Sequence, residues 1–567
     1  MSGARIAVGA IGRAPFAVLV LVGGPAVAGL AGRAPWWVIG LASGLALAAS
    51  AVRVAERTPA RWLLDWGRYR IGLAGRVRRR TFGAPVVSDV EVAAGDCGIG
   101  CGDSTVVAMI QLAPDLDLPT IITEQTVYTA DTLPVGVLLP MLEQYGLTMD
   151  IDIVATGRRS RPQGGYSMLY DQLIGSNPVI GERRSWLVVR LDLERNLPVL
   201  RRRGPVAVSG PRALAVAAHR IAARLRERGI RAQVLPAAAV REATGLLNAG
   251  VEVPELREAW RRLELRASAR RVSCYAVDWS RLGATGLDDC WSWNRGWTTV
   301  VIGLSAAADG PRGLVRFVGA EQDQEVPGYL RSLSGQQSAA FMATLPGPVS
   351  VHALPVDDRG RDIASAEALA GMVVPIGPNG QILGALSGQP QHTLALPLFD
   401  PSRFHTRRRT VDIRASLPVA QQIILRSMVV GATVEIHSAR PDSWLPLVAA
   451  VGDPMTLRMS PRPGEEQDGS PPTVEVFDQV TPRGSGAHAT VTIGDPGTPR
   501  RGSADLAIDQ IAETTVEVGL PMRTVRVELI EPRGETRYFE SAPNPVLAGT
   551  EMAAGSASPE AVSAAGT

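Results

Sequence analysis

Lysine is absent from this chain: all 58 of its basic residues are arginine. Every chemistry that needs an ε-amino group is therefore excluded. There is no P-loop lysine for a nucleotide phosphate, no Schiff-base lysine and no kinase-type lysine, so the chain is not a Walker-type motor. Cysteine is scarce too. Cys97, Cys101, Cys274 and Cys290 are too few to staple 567 residues and fit a reducing compartment. The six histidines (His219, His352, His392, His405, His437 and His488) show no H-E-x-x-H spacing, and no G-x-S-x-G is present.

What is present begins with two uncharged apolar runs, Ala14 to Ala31 and Trp36 to Val52, separated by Gly32, Arg33, Ala34 and Pro35. Each approaches the ~17–25 residues that cross a hydrocarbon core as a helix. Two in succession predict a transmembrane hairpin over residues 1–53; a signal peptide is the rival reading of the first run alone. Arginines orient the hairpin. Arg5 and Arg13 precede it, nine arginines from Arg53 to Arg80 follow it, and the link has only Arg33. By the positive-inside bias both ends, and the body that follows, face the cytoplasm of a plasma-membrane protein. Gly40 and Gly44 form a G-x-x-x-G step that lets a neighbouring helix approach closely.

Residues 54–82 predict an arginine-rich amphipathic stem. Trp62, Leu63, Trp66, Tyr69 and Leu73 recur at helical spacing among Arg61, Arg68 and other arginines. Residues 1–80 carry a net charge of about +10 and the remainder about −7 by direct count. A basic collar suits anionic lipid heads, and a mildly acidic body argues against nucleic-acid binding.

The body reads as α/β with a β-rich C-terminal part. Residues 83–345 are expected to form a first α/β domain. Two strands flank a glycine-rich turn at GDCGIGCGD (95–103), a helix spans Thr132 to Gly146, and the order strand, helix, strand, helix from Trp186 to Leu247 predicts parallel pairing. PVSVHAL (348–354) reads as a strand. Residues 346–540 are expected to form a second domain, running from α/β to β-rich. Its helix Leu417 to Val430 and strand 432–438 echo the earlier helix and strand at 211–235, as two units that share a sheet or form a pseudo-repeat would. Residues 541–567, dominated by Ala, Ser, Gly and Pro, are expected to be disordered.

Candidate chemistry is thin. Asp150 and Asp152, two apart in a strand, share one face and could hold a divalent ion for a nucleotide-sugar transferase; Asp115 and Asp117 have the same spacing. More often such pairs belong to acidic edges. Cys97 and Cys101 could begin a zinc site, but a hairpin turn is the simpler reading. Trp279, Trp291, Trp293 and Trp297 could stack on a base or sugar, although core or interface packing is commoner. Arg407 to Arg409 reads as a solvated run. No cofactor is expected.

Several stretches resemble one family. They are ARWLLDWGRYR (60–70), YSMLYDQLIG (166–175), RRSWLVVRLD (183–192), a helix ending RLRERGIRAQVLPAAAV (224–240), DDCWSWNRGWTTVV (288–301), GPRGLVRFVGA (310–320) and PLFDP (397–401). Together they are similar to EccE, the membrane component of type VII (ESX) secretion systems, over roughly residues 10–540. The resemblance implies a plasma-membrane subunit without known enzymatic activity, in a complex with EccB, the ATPase EccC and EccD. The expected role is then structural. Gly40 and Gly44 pack in the membrane, and Arg61, Trp62, Trp66, Arg68 and Tyr69 form a contact surface with partners or lipid. On that reading Asp152→Asn is expected to be silent; on the transferase reading it abolishes activity.

Overall fold

The computed structural model describes residues 86–539 except 125, 163, 266–267, 283–285, 294–295, 308–309, 321–324, 355–368, 370 and 461–470, together with 6–8, 52–54, 66–67 and 69. The hairpin cores, most of the stem and the C-terminal tail lie outside the described residues. Ile6–Val8 and Val52–Val54 pair antiparallel, with Val8 opposite Val52. Among the described residues no helix is long and apolar enough to cross a membrane.

The described body is β-rich and built on two twelve-stranded sheets. In the first, every pairing is antiparallel. Its middle is formed by Thr105–Leu112, Glu182–Asp192, Asp150–Arg158, Trp297–Ser305 and Arg312–Gly319, in that spatial order. Both faces are covered. Val106, Ala108 and Ile110 join one core with Leu214, Ile221 and Leu225 of the helix Val206–Glu227. Val107 and Met109 point into another core with Val240, Ala243 and Leu247 of the helix Ala237–Leu247.

The parallel pairing expected here is therefore corrected. Burial on both faces gives the near-continuous apolar runs usually found in parallel sheets, such as TVVAMIQL and WLVVRL. Direction alone was right. Glu182–Asp192 and Ala232–Val234 run the same way, but each pairs antiparallel with Thr105–Leu112, which lies between them.

Three local expectations also fail. The glycine- and cysteine-rich segment is not a turn but the strand Gly95–Cys101. Its glycines hide the strand pattern, and Gly98 is there for clearance: a Cβ on it would sit 2.6 Å from the Ala237 nitrogen. No helix spans 132–146. Pro134 and Pro140 break the backbone ladder, leaving a strand at Thr132–Pro134, two 3₁₀ turns, and a tight hairpin at Tyr145 and Gly146. PVSVHAL yields a 3₁₀ turn at Val351–Ala353 rather than a strand.

The second sheet is mixed. Six strands from Leu457–Met459 across to Leu506–Gln510 are parallel, as expected of the α/β segment, and the rest are antiparallel. The two units neither share a sheet nor form a pseudo-repeat: Ala232–Val234 and Val434–Ser438 lie in different sheets, one antiparallel where the other is parallel. Thr120–Ile122 crosses over to extend the second sheet beside Gln389–Leu396. Tyr166, Tyr170 and Ile174 of the helix Gly164–Ile174 enter the second core. The helix Leu417–Val429 is buried from Ala420 to Val429, its apolar residues running all round rather than along one stripe.

Candidate functional site

The paired aspartates lie where the sequence puts them, on one face of Asp150–Arg158, and each already has its own cation. Asp152 is fully buried and ion-paired with Arg190 of the adjacent strand. Arg190 also donates to the carbonyls of Gly347 (2.9 Å) and Leu345 (3.1 Å), pinning the 345–347 segment over the sheet. Asp150 accepts from Arg195 at 3.1 and 3.3 Å and from the Ser305 hydroxyl at 2.6 Å. Burial pushes the Asp152 carboxyl up from its ordinary value, with Arg190 pulling against it. His352 lies against the same strand face, close to where a Cβ on Gly303 would stand, and burial holds its imidazole down. Each carboxylate thus already has a guanidinium counter-charge. Among the described residues no group of three or more His, Cys, Asp or Glu could hold a metal.

The other candidates are structural in the same way. Cys97 and Cys101 are four steps apart along one strand, about 13 Å, so one ion cannot bridge them with Zn–S bonds of about 2.3 Å. Cys97 is buried, its thiol pushed up to about 12 chiefly by burial, while Cys101 is exposed. Trp279 and Trp291 are core residues. Trp293 packs on Phe317 with centroids 4.6 Å apart, and the Arg158 guanidinium lies 4.7 Å from the Trp297 ring centroid.

Arg407 to Arg409 is not a solvated run. Arg407 and Arg409 reach Asp117 at 2.8 and 3.2 Å, and Arg409 is buried, donating to Leu116 and Pro397 carbonyls. Burial holds the Arg409 guanidinium down at about 10. Asp115–Asp117 is thus the counter-charge for the 407–409 segment, tying together parts of the chain nearly 300 residues apart.

Of the stem, Trp66, Gly67 and Tyr69 are described and helical. Trp66 is 44% exposed. Tyr69 turns toward the protein's own body: its hydroxyl donates to the Glu258 carbonyl at 3.2 Å and its ring meets Trp260 edge-on, centroids 5.3 Å apart. Gly40, Gly44, Arg61, Trp62 and Arg68 lie outside the described residues. The Glu258–Trp260 platform was not anticipated; the two segments are nearly 190 residues apart, and no local pattern joins them.

The candidate residues are therefore held in ion pairs and packing contacts, and their setting can be compared with known proteins. Residues 179–277, which include the Arg190-bearing strand and both helices packed on the first sheet, match the family model described as "Putative type VII ESX secretion system translocon, EccE". The ESX-2 secretion system protein EccE2 of Mycobacterium tuberculosis is 27% identical over 467 residues, covering 79% of this chain and 82% of that protein. The chain is similar to EccE proteins. Other EccE proteins align over less. The ESX-1 secretion system protein EccE1 of Mycobacterium tuberculosis is 28% identical over 235 residues, 41% of this chain and 48% of its own length. The ESX-5 secretion system protein EccE5 of Mycobacterium marinum is 27% identical over 247 residues, 40% and 59% respectively. The family-model match includes Trp186 to Asp192 and the segment 224–240, two of the stretches that carry the resemblance in the sequence.

Proposed function

We propose that this protein is a structural subunit of a type VII (ESX) secretion complex, acting by binding and not by catalysis. The observation that carries this reading is the similarity to an ESX-2 EccE protein along most of both chains. The ion-paired state of Asp150 and Asp152 supports it, because each carboxylate of that pair already has a guanidinium counter-charge, from Arg195 and Arg190. A transferase reading has no support.

The finer parts of the proposal concern the membrane and the partners. Residues 1–53 form a hairpin in the plasma membrane, with both ends and the body on the cytoplasmic side. The pairing of Val8 with Val52 supports this, since it brings the two ends of the intervening segment together. Gly40 and Gly44 pack against neighbouring transmembrane helices. The stem 54–82 carries Arg61, Trp62, Trp66 and Arg68 toward lipid or partners, while Tyr69 anchors it on the body. Residues 83–345 and 346–540 are the two parts of that body, and residues 541–567 form a tail. Partners are subunits of the EccB, EccC and EccD types.

The test is a set of full-length variants expressed in place of the native protein. Gly40→Leu, Gly44→Leu and Trp66→Asp should each reduce recovery of the assembled complex while leaving the protein in the membrane fraction. Unchanged recovery with all three would remove the hairpin and stem from the account.

A further inference from the structure

The body after the collar is acidic overall, yet residues 195–231 contain ten arginines and one carboxylate, Glu227. The excess is displayed on a shaped surface. The helix Val206–Glu227 buries Leu214, Ala217, Ala218, Ile221 and Leu225 and leaves Arg212 and Arg220 exposed. Facing it is the hairpin turn at Tyr145 and Gly146, with φ of 52° and 77°. That left-handed backbone leaves the Tyr145 side chain 73% exposed. Arg203 fixes the turn by donating to the Tyr145 carbonyl at 3.0 Å, and the Arg220 guanidinium sits 4.1 Å from the Tyr145 ring centroid.

Between helix and turn is an open groove of about 340 Å³. Arg203, Arg212, Arg220 and Tyr145 line it, with an apolar floor that includes Val216 and Ala217, and no carboxylate lines it. Arg212 has no ion-pair partner among the described residues.

We propose that this groove docks an acidic amphipathic helix of another polypeptide. Arg212, Val216 and Arg220 form an i, i+4, i+8 stripe, with the two arginine backbones about 12 Å apart along the helix axis and an apolar residue between them. Carboxylates two turns apart on the incoming helix take the guanidinium forks, which match carboxylate geometry. An apolar side chain between them covers Val216 and Ala217. A flat anionic bilayer matches the charge but cannot reach the floor of a groove.

The test uses the full chain in phosphatidylcholine nanodiscs and a fluorescent helical peptide with two Glu residues two turns apart and Leu between them. A counterpart carries Gln for Glu. The proposal expects the Glu peptide to bind at least about tenfold more tightly than the Gln peptide, as two charge-assisted contacts allow. Arg212→Glu combined with Arg220→Glu, both on the surface, should lose that preference with unchanged melting. Arg483→Glu combined with Arg533→Glu, the same charge change at exposed positions elsewhere, should bind as the parent does. Equal binding of both peptides, no binding of either, or equal loss in the two double variants would overturn the proposal. So would capture by phosphatidylglycerol vesicles that depends on Arg212 and Arg220 without peptide binding, since that assigns the groove to lipid.

Discussion

Replacing Asp152 by Asn separates a structural carboxylate from a catalytic one. Sequence alone makes the change silent in a scaffold, but the structure does not. Asp152 and Arg190 are both buried, and Arg190 keeps its carbonyl partners at Gly347 and Leu345 when the carboxylate goes. The guanidinium charge would then be buried without a counter-charge. Breaking a buried pair from one side costs about 3–5 kcal/mol. Asn can still accept one hydrogen bond, worth about 1 kcal/mol, so the lower end, about 3 kcal/mol, is expected. With a urea slope of about 3 kcal/mol per molar, the unfolding midpoint falls by about 1 M. Hydrogen exchange in urea, read on peptides from Asp150–Arg158 and Glu182–Asp192, reports this locally. Asp152→Asn combined with Arg190→Met should cost about 2–3 kcal/mol less than the two single changes added together. Strict additivity, or unaltered exchange in Asp152→Asn, would refute the argument. Loss of an enzymatic activity at unchanged stability would revive the transferase.

Three further outcomes follow from the geometry. Gly98→Ala drives a Cβ into the Pro236–Ala237 backbone and should cost about 2 kcal/mol or more by urea unfolding, because backbone cannot yield as a side chain can. Burial raises the Asp131 carboxyl to about 6, while the Gly377 amide donates to it at 3.0 Å. Its contribution to stability is thus fully present below about pH 4 and lost as pH rises through 6. Asp131→Asn should remove that slope, worth up to about 3 kcal/mol, and a variant with the parent's pH profile between 4 and 6 would contradict the assignment. Cys101 is exposed while Cys97, Cys274 and Cys290 are buried. A membrane-impermeant maleimide should therefore label Cys101 in lysed but not in intact spheroplasts, and labelling of intact ones would reverse the proposed topology.

How much was legible in the sequence depended on whether the pattern was local. The helix at Val206–Glu227, stopped by Gly229 with φ of 82°, and the strand–helix–strand from Arg409 to Ser438 are close to expectation because period and stop signal lie within a few residues. The first sheet's topology was not legible. Apolar runs report burial on both faces, and burial is the same whether neighbours run parallel or antiparallel. The strand Gly95–Cys101 was hidden by its glycines, of which Gly98 answers to the helix start at Pro236–Ala237, far along the chain. The candidate sites failed for the same reason. A D-x-D pair shows two carboxylates, but Arg190, 38 residues on from Asp152, decides that they are counter-ions. Likewise Asp117, about 290 residues before Arg407 and Arg409, turns two arginines of a basic run into an ion-paired clamp. Glu258 and Trp260 receive Tyr69 through contacts that periodicity does not encode.

The measurement that bears most directly on a structural role in secretion is mild-detergent affinity purification of the tagged full-length protein from its native membranes, read on a native gel and by mass spectrometry. The account predicts a species of megadalton size containing the secretion ATPase and the other membrane subunits of a type VII system, lost when Gly40 and Gly44 are both replaced by Leu. Recovery of the protein alone and monodisperse, under conditions that keep other membrane complexes intact, would contradict it.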